Sequence, residues 1–150
     1  MGEFDLNRGW CIRIFMEEAT FAAGCFWGPE MEFRRVTGVV ETEVGYTGGR
    51  MENPSYSQVC SGLTGHAEAV HVTFDPEVVS YEELLNLFFA IHNAAVEHKA
   101  QYRSAIFFHT PEQEEAAVAR RALEPGAVTE IVPAGPFYRA EEYHQRYYEK

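Results

Sequence analysis

Ala67-Glu68-Ala69-Val70-His71-Val72-Thr73-Phe74 is the stretch that most limits how this chain can fold. In a β-strand Val70, Val72 and Phe74 share one face, and counting back by twos puts Glu68 on that same apolar face. A carboxylate there loses hydration, which raises its pKa and lets it hold a proton near neutrality. A second reading stays open at this point: Glu68 at the strand's end, turned out to water.

The strand needs apolar partners, and the chain supplies them on both sides. Thr20-Phe21-Ala22-Ala23 predicts a short strand, and Val39 to Tyr46 alternates as another. Ser104 to His109 barely alternates, as expected of a strand buried on both faces. Val128 to Val132 predicts one more. Helices are predicted from Pro29, with proline at the first helical position. A short one follows Asn53-Pro54, with Asn53 as N-cap. Ser80 and Glu83 form a capping box before the stripe Leu84, Leu87, Phe88 and Ile91. Thr110-Pro111 opens a helix that is acidic early and basic late, and a last helix starts near Ala140. Residues 93–100 carry no pattern. This order predicts an α+β fold: a two-layer α/β sandwich, a ferredoxin-like plait around a mostly antiparallel sheet. It forms one domain over residues 16–150. Met16 can serve as a start, leaving residues 1–15 as an N-terminal extension that need not be native.

Between the first strand and helix lies Gly24-Cys25-Phe26-Trp27-Gly28. A cysteine at a strand-to-helix junction faces unpaired backbone N–H groups and the positive end of a helix dipole, both of which favour thiolate. Two readings stand: a reactive thiol, or a small buried hydrophobe among aromatics.

Charge and cysteine usage exclude several function classes. A net charge of −11 argues against nucleic acid or an anionic membrane as partner, since both need basic patches. Cys11, Cys25 and Cys60 are too few and too scattered for a disulfide scaffold or zinc ribbon, so a reducing cytoplasm is expected. His66, His71, His92, His98, His109 and His144 repeat no metal-ligand spacing, so no metal is expected and surface or loop positions are. Tyr143 and Tyr147, four apart, are expected in the core.

Gly24-Cys25-Phe26-Trp27-Gly28 is one of several separated motifs that occur together. The others are Gly45-Tyr46-Thr47-Gly48-Gly49, Asn53-Pro54-Ser55-Tyr56, Gly65-His66-Ala67-Glu68-Ala69-Val70, Gln101-Tyr102-Arg103-Ser104, Pro133 to Tyr138 and Tyr143-His144-Gln145. With these motifs in this order, the sequence from about Met16 onward resembles the A-type peptide methionine sulfoxide reductases. The resemblance implies thiol-dependent reduction of methionine-S-sulfoxide, free or in proteins, and hence repair of oxidised proteins. Cys25 would be the nucleophile, which becomes a sulfenic acid. Glu68 would be the proton donor, and Tyr56 and Tyr102 hydrogen-bond donors to the sulfoxide oxygen. Phe26 and Trp27 would wall the S-methyl pocket. No bound cofactor is implied; an external thiol, thioredoxin or similar, would restore a monomeric enzyme.

Local charge qualifies the picture, because Glu30 and Glu32 are expected to oppose a thiolate at Cys25 and leave it modestly activated. The sequence also departs from the family pattern. Residues 93–100 are shorter than the family's link, and Glu97 stands at the offset of a substrate-contacting aspartate. It is either that residue's substitute or a solvated loop glutamate. The chain ends at Lys150 without the tail cysteines of many relatives. Cys60 and Cys11 are then candidate resolving residues, with a buried structural thiol as the expectation for Cys60. The alternative to the enzyme is a degenerate relative that binds methionine-sulfoxide peptides, or senses oxidants, without efficient turnover.

Overall fold

A computed structural model describes residues 15–150. Cys11 lies outside the described residues, as does nearly all of the 1–15 extension. Alternating and continuous apolar runs become six strands: β1 (Glu17–Ala23), β2 (Val39–Thr47), β3 (Ala67–Phe74), β4 (Ser104–Phe108), β5 (Glu130–Pro133) and β6 (Phe137–Arg139). Four helices connect them: α1 (Trp27–Arg34), α2 (Tyr56–Cys60), α3 (Tyr81–Ala90) and α4 (Pro111–Arg121). The strands form one mixed sheet in the order β5-β4-β1-β3-β2-β6. All its ladders are antiparallel except β4 with β5, which is parallel.

One sheet face carries Phe21, Val44, Val70, Val72, Phe74 and Ile106 and packs on Phe33 of α1 and on Leu84, Leu85 and Phe88 of α3. Phe21 stacks on Phe33 with ring centres 5.0 Å apart. The other face is lined by small residues, Ala22, Ala67, Ala69 and Ala105, around Phe107, and is covered by Phe137, Val132 and Ala134. Strand β3 is buried nearly throughout, and Glu68 is only 1% exposed on the helix-covered face. Strand parity placed it correctly; the turn to water does not occur.

Capping at Ser80 and Thr110 is as expected. Three local expectations fail. Helix α1 starts at Trp27, so Pro29 occupies its third position. Helix α2 is capped by Ser55 in a reciprocal pair with Gln58, while Asn53 adopts the left-handed conformation (φ 48°), which Asn tolerates better than most residues. No α-helix forms after Ala140. Arg146 is also left-handed and interrupts the segment between two 3₁₀ turns, Glu142–His144 and Tyr147–Glu149. The Gln145 side chain bonds Val44 N–H and the Val44 and Ala140 carbonyls at 2.9 Å each, tying this segment to β2.

Gly49 shows how tightly the loops are fitted. A Cβ there would collide with the backbone of Thr64, Gly65 and His66, which cannot swing aside as a side chain can. Gly49→Ala is expected to cost about 1–3 kcal/mol of folding free energy, read as a lowered urea midpoint at unchanged slope. An unchanged midpoint would show that these loops can part freely.

Candidate active site

The ends of β1, β3 and α2, together with the 3₁₀ turn Ala100–Tyr102, assemble the site. Gly24, with φ 87°, turns the chain out of β1 in a conformation that side chains rarely adopt. The turn leaves Cys25 exposed at the start of α1. Although the residue is open to solvent, partial burial of its sulfur is the largest influence on the thiol and raises its pKa. The Trp27 N–H lowers it, and the Glu68 carboxylate raises it again. The anionic neighbour that opposes the thiolate is therefore Glu68. Glu30, expected in that role, is 1% exposed and engaged elsewhere. It accepts the Thr42 hydroxyl at 2.8 Å and the Arg146 N–H at 2.7 Å.

Glu68 accepts the Phe26 N–H at 3.1 Å and Gln101 Nε2 at 2.7 Å. Burial pushes its carboxyl above the ordinary range, while Gln101, Phe26 and the Lys99 ammonium pull it back in part. Gln101 is itself buried and its Oε1 has no hydrogen-bond partner. Tyr56 and Tyr102 stand at the same place: both phenols are raised, first by desolvation, and both feel the Glu68 charge and each other. The structure thus brings Cys25, Glu68, Tyr56 and Tyr102 together.

Cys60 belongs to this group as well. It is exposed at the end of α2, its sulfur lies 3.4 Å from Gln101 Nε2, and it faces the Tyr56 phenol. The expected buried structural thiol is corrected, because five residues of helix pack inward through Val59 alone and leave Cys60 on the site side. Glu97 is not drawn in. It is exposed in the 93–100 link, and Lys99 is the residue from there whose charge reaches Glu68.

Phe26 is buried, its ring centre 5.9 Å from Tyr46 and 5.2 Å from His144. Trp27 is half-buried and stacks on Tyr147 at 3.8 Å. Tyr143 and Tyr147 are exposed, so neither is a core residue, contrary to the helical spacing; the helix that spacing assumed does not form. His144, expected on the surface or in a loop, is 1% exposed and accepts Trp27 Nε1–H on Nδ1 at 3.0 Å, which orients the indole. His66 is likewise buried. It accepts the Gly49 N–H on Nδ1 and donates from Nε2 to the Met51 carbonyl.

Two more residues position the site without having been singled out. Burial pushes the Glu141 carboxyl up, but the Tyr56 N–H, its own N–H and the Tyr46 hydroxyl outweigh this and leave it below its ordinary value. It accepts the Tyr56 N–H and the Tyr46 hydroxyl at 2.8 Å each, so a carboxylate fixes the first turn of α2. Arg103 donates to the carbonyls of Gly65 at 3.0 Å and Ala100 at 2.7 Å, binding the loop before β3 to the turn that carries Tyr102. Neither role could be read from residue type, since each depends on backbone groups distant in sequence.

The sequence profile of the family described as peptide methionine sulfoxide reductase matches residues 17–150. The chain belongs to that family. It is 56% identical to a peptide methionine sulfoxide reductase of Methanothermobacter thermautotrophicus, over 89% of this chain and 87% of that protein. Among solved structures it is similar to reduced Mxr1 of Saccharomyces cerevisiae, with TM-score 0.85 and 32% identity, covering 91% of this chain and 86% of that one. Mxr1 in complex with Trx2 is similar too, with TM-score 0.66, 25% identity and coverage of 89% and 86%. The methionine sulfoxide reductase A of Corynebacterium diphtheriae gives TM-score 0.82 and 34% identity, over 90% and 74% of the two chains. Family membership makes the chain an oxidoreductase that reduces methionine sulfoxide at the expense of thiols. A relative that binds without turnover is not favoured. Among the described residues no helix is long and apolar enough to cross a membrane.

Proposed function

We propose that Cys25 is the nucleophile and Glu68 the proton donor in reduction of methionine-S-sulfoxide, free or in proteins. The observation that carries this is a buried carboxyl, raised by desolvation, whose charge acts on an exposed cysteine at a helix start. The Cys25 sulfur attacks the sulfoxide sulfur while Glu68 protonates its oxygen. The oxygen then passes to Cys25, leaving Cys–SOH and the methionine thioether; cysteine loses the two electrons that the sulfoxide gains. Tyr56 and Tyr102 supply O–H donors where negative charge develops on that oxygen, and Phe26 with Trp27 provides an apolar aromatic wall for the S-methyl group. We also read the inner order β4-β1-β3-β2 as the ferredoxin-like plait that holds these parts.

Reduction of the sulfenic acid needs a second thiol, whose attack expels water and leaves a disulfide. Cys60 is our candidate for that thiol, because it shares Gln101 and Tyr56 with Glu68. Thioredoxin or a similar dithiol would then reduce the disulfide; the Mxr1–Trx2 complex supports a partner of that kind. No bound cofactor is required by this sequence of steps. A single-turnover assay without reductant tests the first half: one equivalent of methionine per enzyme is expected. Cys60→Ser should keep that burst, and keep dithiothreitol-linked turnover, while losing at least about nine-tenths of the thioredoxin-linked rate. Full thioredoxin-linked activity in that variant would transfer the role to Cys11 or to direct reduction, with Cys11→Ser distinguishing the two.

A further inference from the structure

The sheet face turned away from α1 and α3 holds a cluster that the reaction does not use. Three adjacent strands bring together Glu18 of β1, His71 of β3 and His109, the residue after β4. One oxygen of Glu18 lies 3.4 Å from His71 Nε2 and 4.0 Å from His109 Nδ1. The donor atoms of all three lie within 4.8 Å of one another. The remaining nitrogen of each ring, Nδ1 of His71 and Nε2 of His109, lies 2.9 Å from the same atom, Oγ1 of Thr20, a residue 3% exposed.

That shared hydroxyl limits how the two rings can be protonated. It has one proton and can donate to one ring only, so at least one neutral ring must give its own N–H to Thr20. The nitrogen that ring turns towards Glu18 is then a bare lone pair, and the carboxylate it faces has only lone pairs to offer. If Thr20 accepts from both rings, two lone pairs and a carboxylate converge. Such a set is completed by a cation. Histidines that ligate metals have their second nitrogen held by a hydrogen bond that fixes tautomer and ring orientation, and Thr20 holds both. Donors about 2.0–2.1 Å from a tetrahedral zinc lie about 3.4 Å from one another. The Glu18–His71 separation already has that length, and the exposed Glu18 side chain can close the 4.0 Å to His109; the two ring nitrogens, within 4.8 Å of each other, close the rest by turning about their bonds to Thr20. The adjoining cleft adds Glu17, Glu82 and Glu112, so the local field is attractive to cations.

We propose that Glu18, His71 and His109 bind one divalent transition-metal ion of the zinc type, with Thr20 orienting both imidazoles and water filling the open positions. Two imidazoles and a carboxylate suit a borderline ion better than calcium or magnesium. The spacing of these residues shows no ligand motif because each comes from a different strand and only sheet register unites them. His71 has the opposite strand parity from Glu68, so the ion sits across the sheet from the proton donor. Its role is to tie β3, β1 and β4 together.

Titration of the reduced full chain with Co²⁺, followed by its visible d–d absorption, tests the site, and displacement by Zn²⁺ gives the zinc affinity. One equivalent is expected to bind without the sulfur-to-metal charge-transfer band that Cys25 or Cys60 would produce. His71→Gln and His109→Gln should each weaken binding at least about tenfold, and Thr20→Val should do so by about tenfold. His109→Gln leaves the His109 N–H bond to Gln113 Oε1 in place, which makes it the variant safest for the fold. Absence of binding, or binding with a charge-transfer band and indifferent to both histidine substitutions, overturns the proposal.

Discussion

Glu68→Gln is expected to lower the single-turnover rate of methionine formation by about 10²–10⁴-fold, the range for a positioned general acid, and yet to relieve the folded protein of a pH-dependent burden. The two effects have one cause. The Glu68 carboxyl is 1% exposed and its pKa is raised, chiefly by desolvation. The folded state therefore binds its proton more tightly than the unfolded chain does. That contribution to stability is fully present below the unfolded carboxylate pKa and is lost as pH rises through the folded one. An amide does not titrate, so the loss disappears in the variant. Glutamine at this position can still accept the Phe26 N–H, but its NH₂ group then meets the Gln101 Nε2 donor until the Gln101 amide turns over to present Oε1, which is buried without a partner. Thermal unfolding of both proteins between pH 5 and pH 8 reads this directly, as a Tm difference that moves in favour of the variant as pH rises. Parallel Tm–pH curves would mean that Glu68 is not held protonated by burial. An undiminished methionine burst would remove it from the chemistry.

Glu68 also shows how far residue patterns reach in this fold. The parity of β3 placed the carboxylate on the apolar face because the strand is buried nearly end to end, and no tertiary detail could reverse a period of two. The capping residues Ser80 and Thr110 were legible for a similar reason: they act on N–H groups three positions away. The C-terminal segment was not. Its spacing of Tyr143 and Tyr147 suits a helix, but Glu141 and Gln145 spend their side chains on the backbone of Tyr56 and Val44, and Arg146 breaks the run. Those are contacts between residues roughly a hundred positions apart, and local propensity carries no trace of them. The same limit hid the exposure of Cys60, a candidate resolving residue expected to be buried, whose place beside Gln101 depends on how the 100–102 turn meets α2, and it hid the His71–His109 pair.

Cys25→Ser is expected to abolish methionine formation altogether, with no burst above background, while shifting folding stability by no more than about 0.5 kcal/mol because the residue is exposed. A serine oxygen cannot be oxidised to the counterpart of a sulfenic acid, so the oxygen leaving the sulfoxide has nowhere to go and no electrons arrive from the enzyme. The parent thiol is not primed at rest. Partial burial and the Glu68 charge raise it, and the Trp27 N–H offsets only part of that. Alkylation of Cys25 by iodoacetamide in the free enzyme should therefore be slow at neutral pH and rise only towards alkaline pH. Protonating Glu68 removes one of the two effects that raise the thiol. The Glu68→Gln variant should then alkylate at lower pH than the parent, even though it turns over more slowly. A parent thiol that reacts fully at pH 6, or the same alkylation profile in both proteins, would break the link between the two groups. The Glu68 carboxylate opposes ionisation of the Cys25 thiol in the resting site. A sulfoxide oxygen that takes the Glu68 proton as the Cys25 sulfur attacks lets proton transfer and attack proceed within a single step.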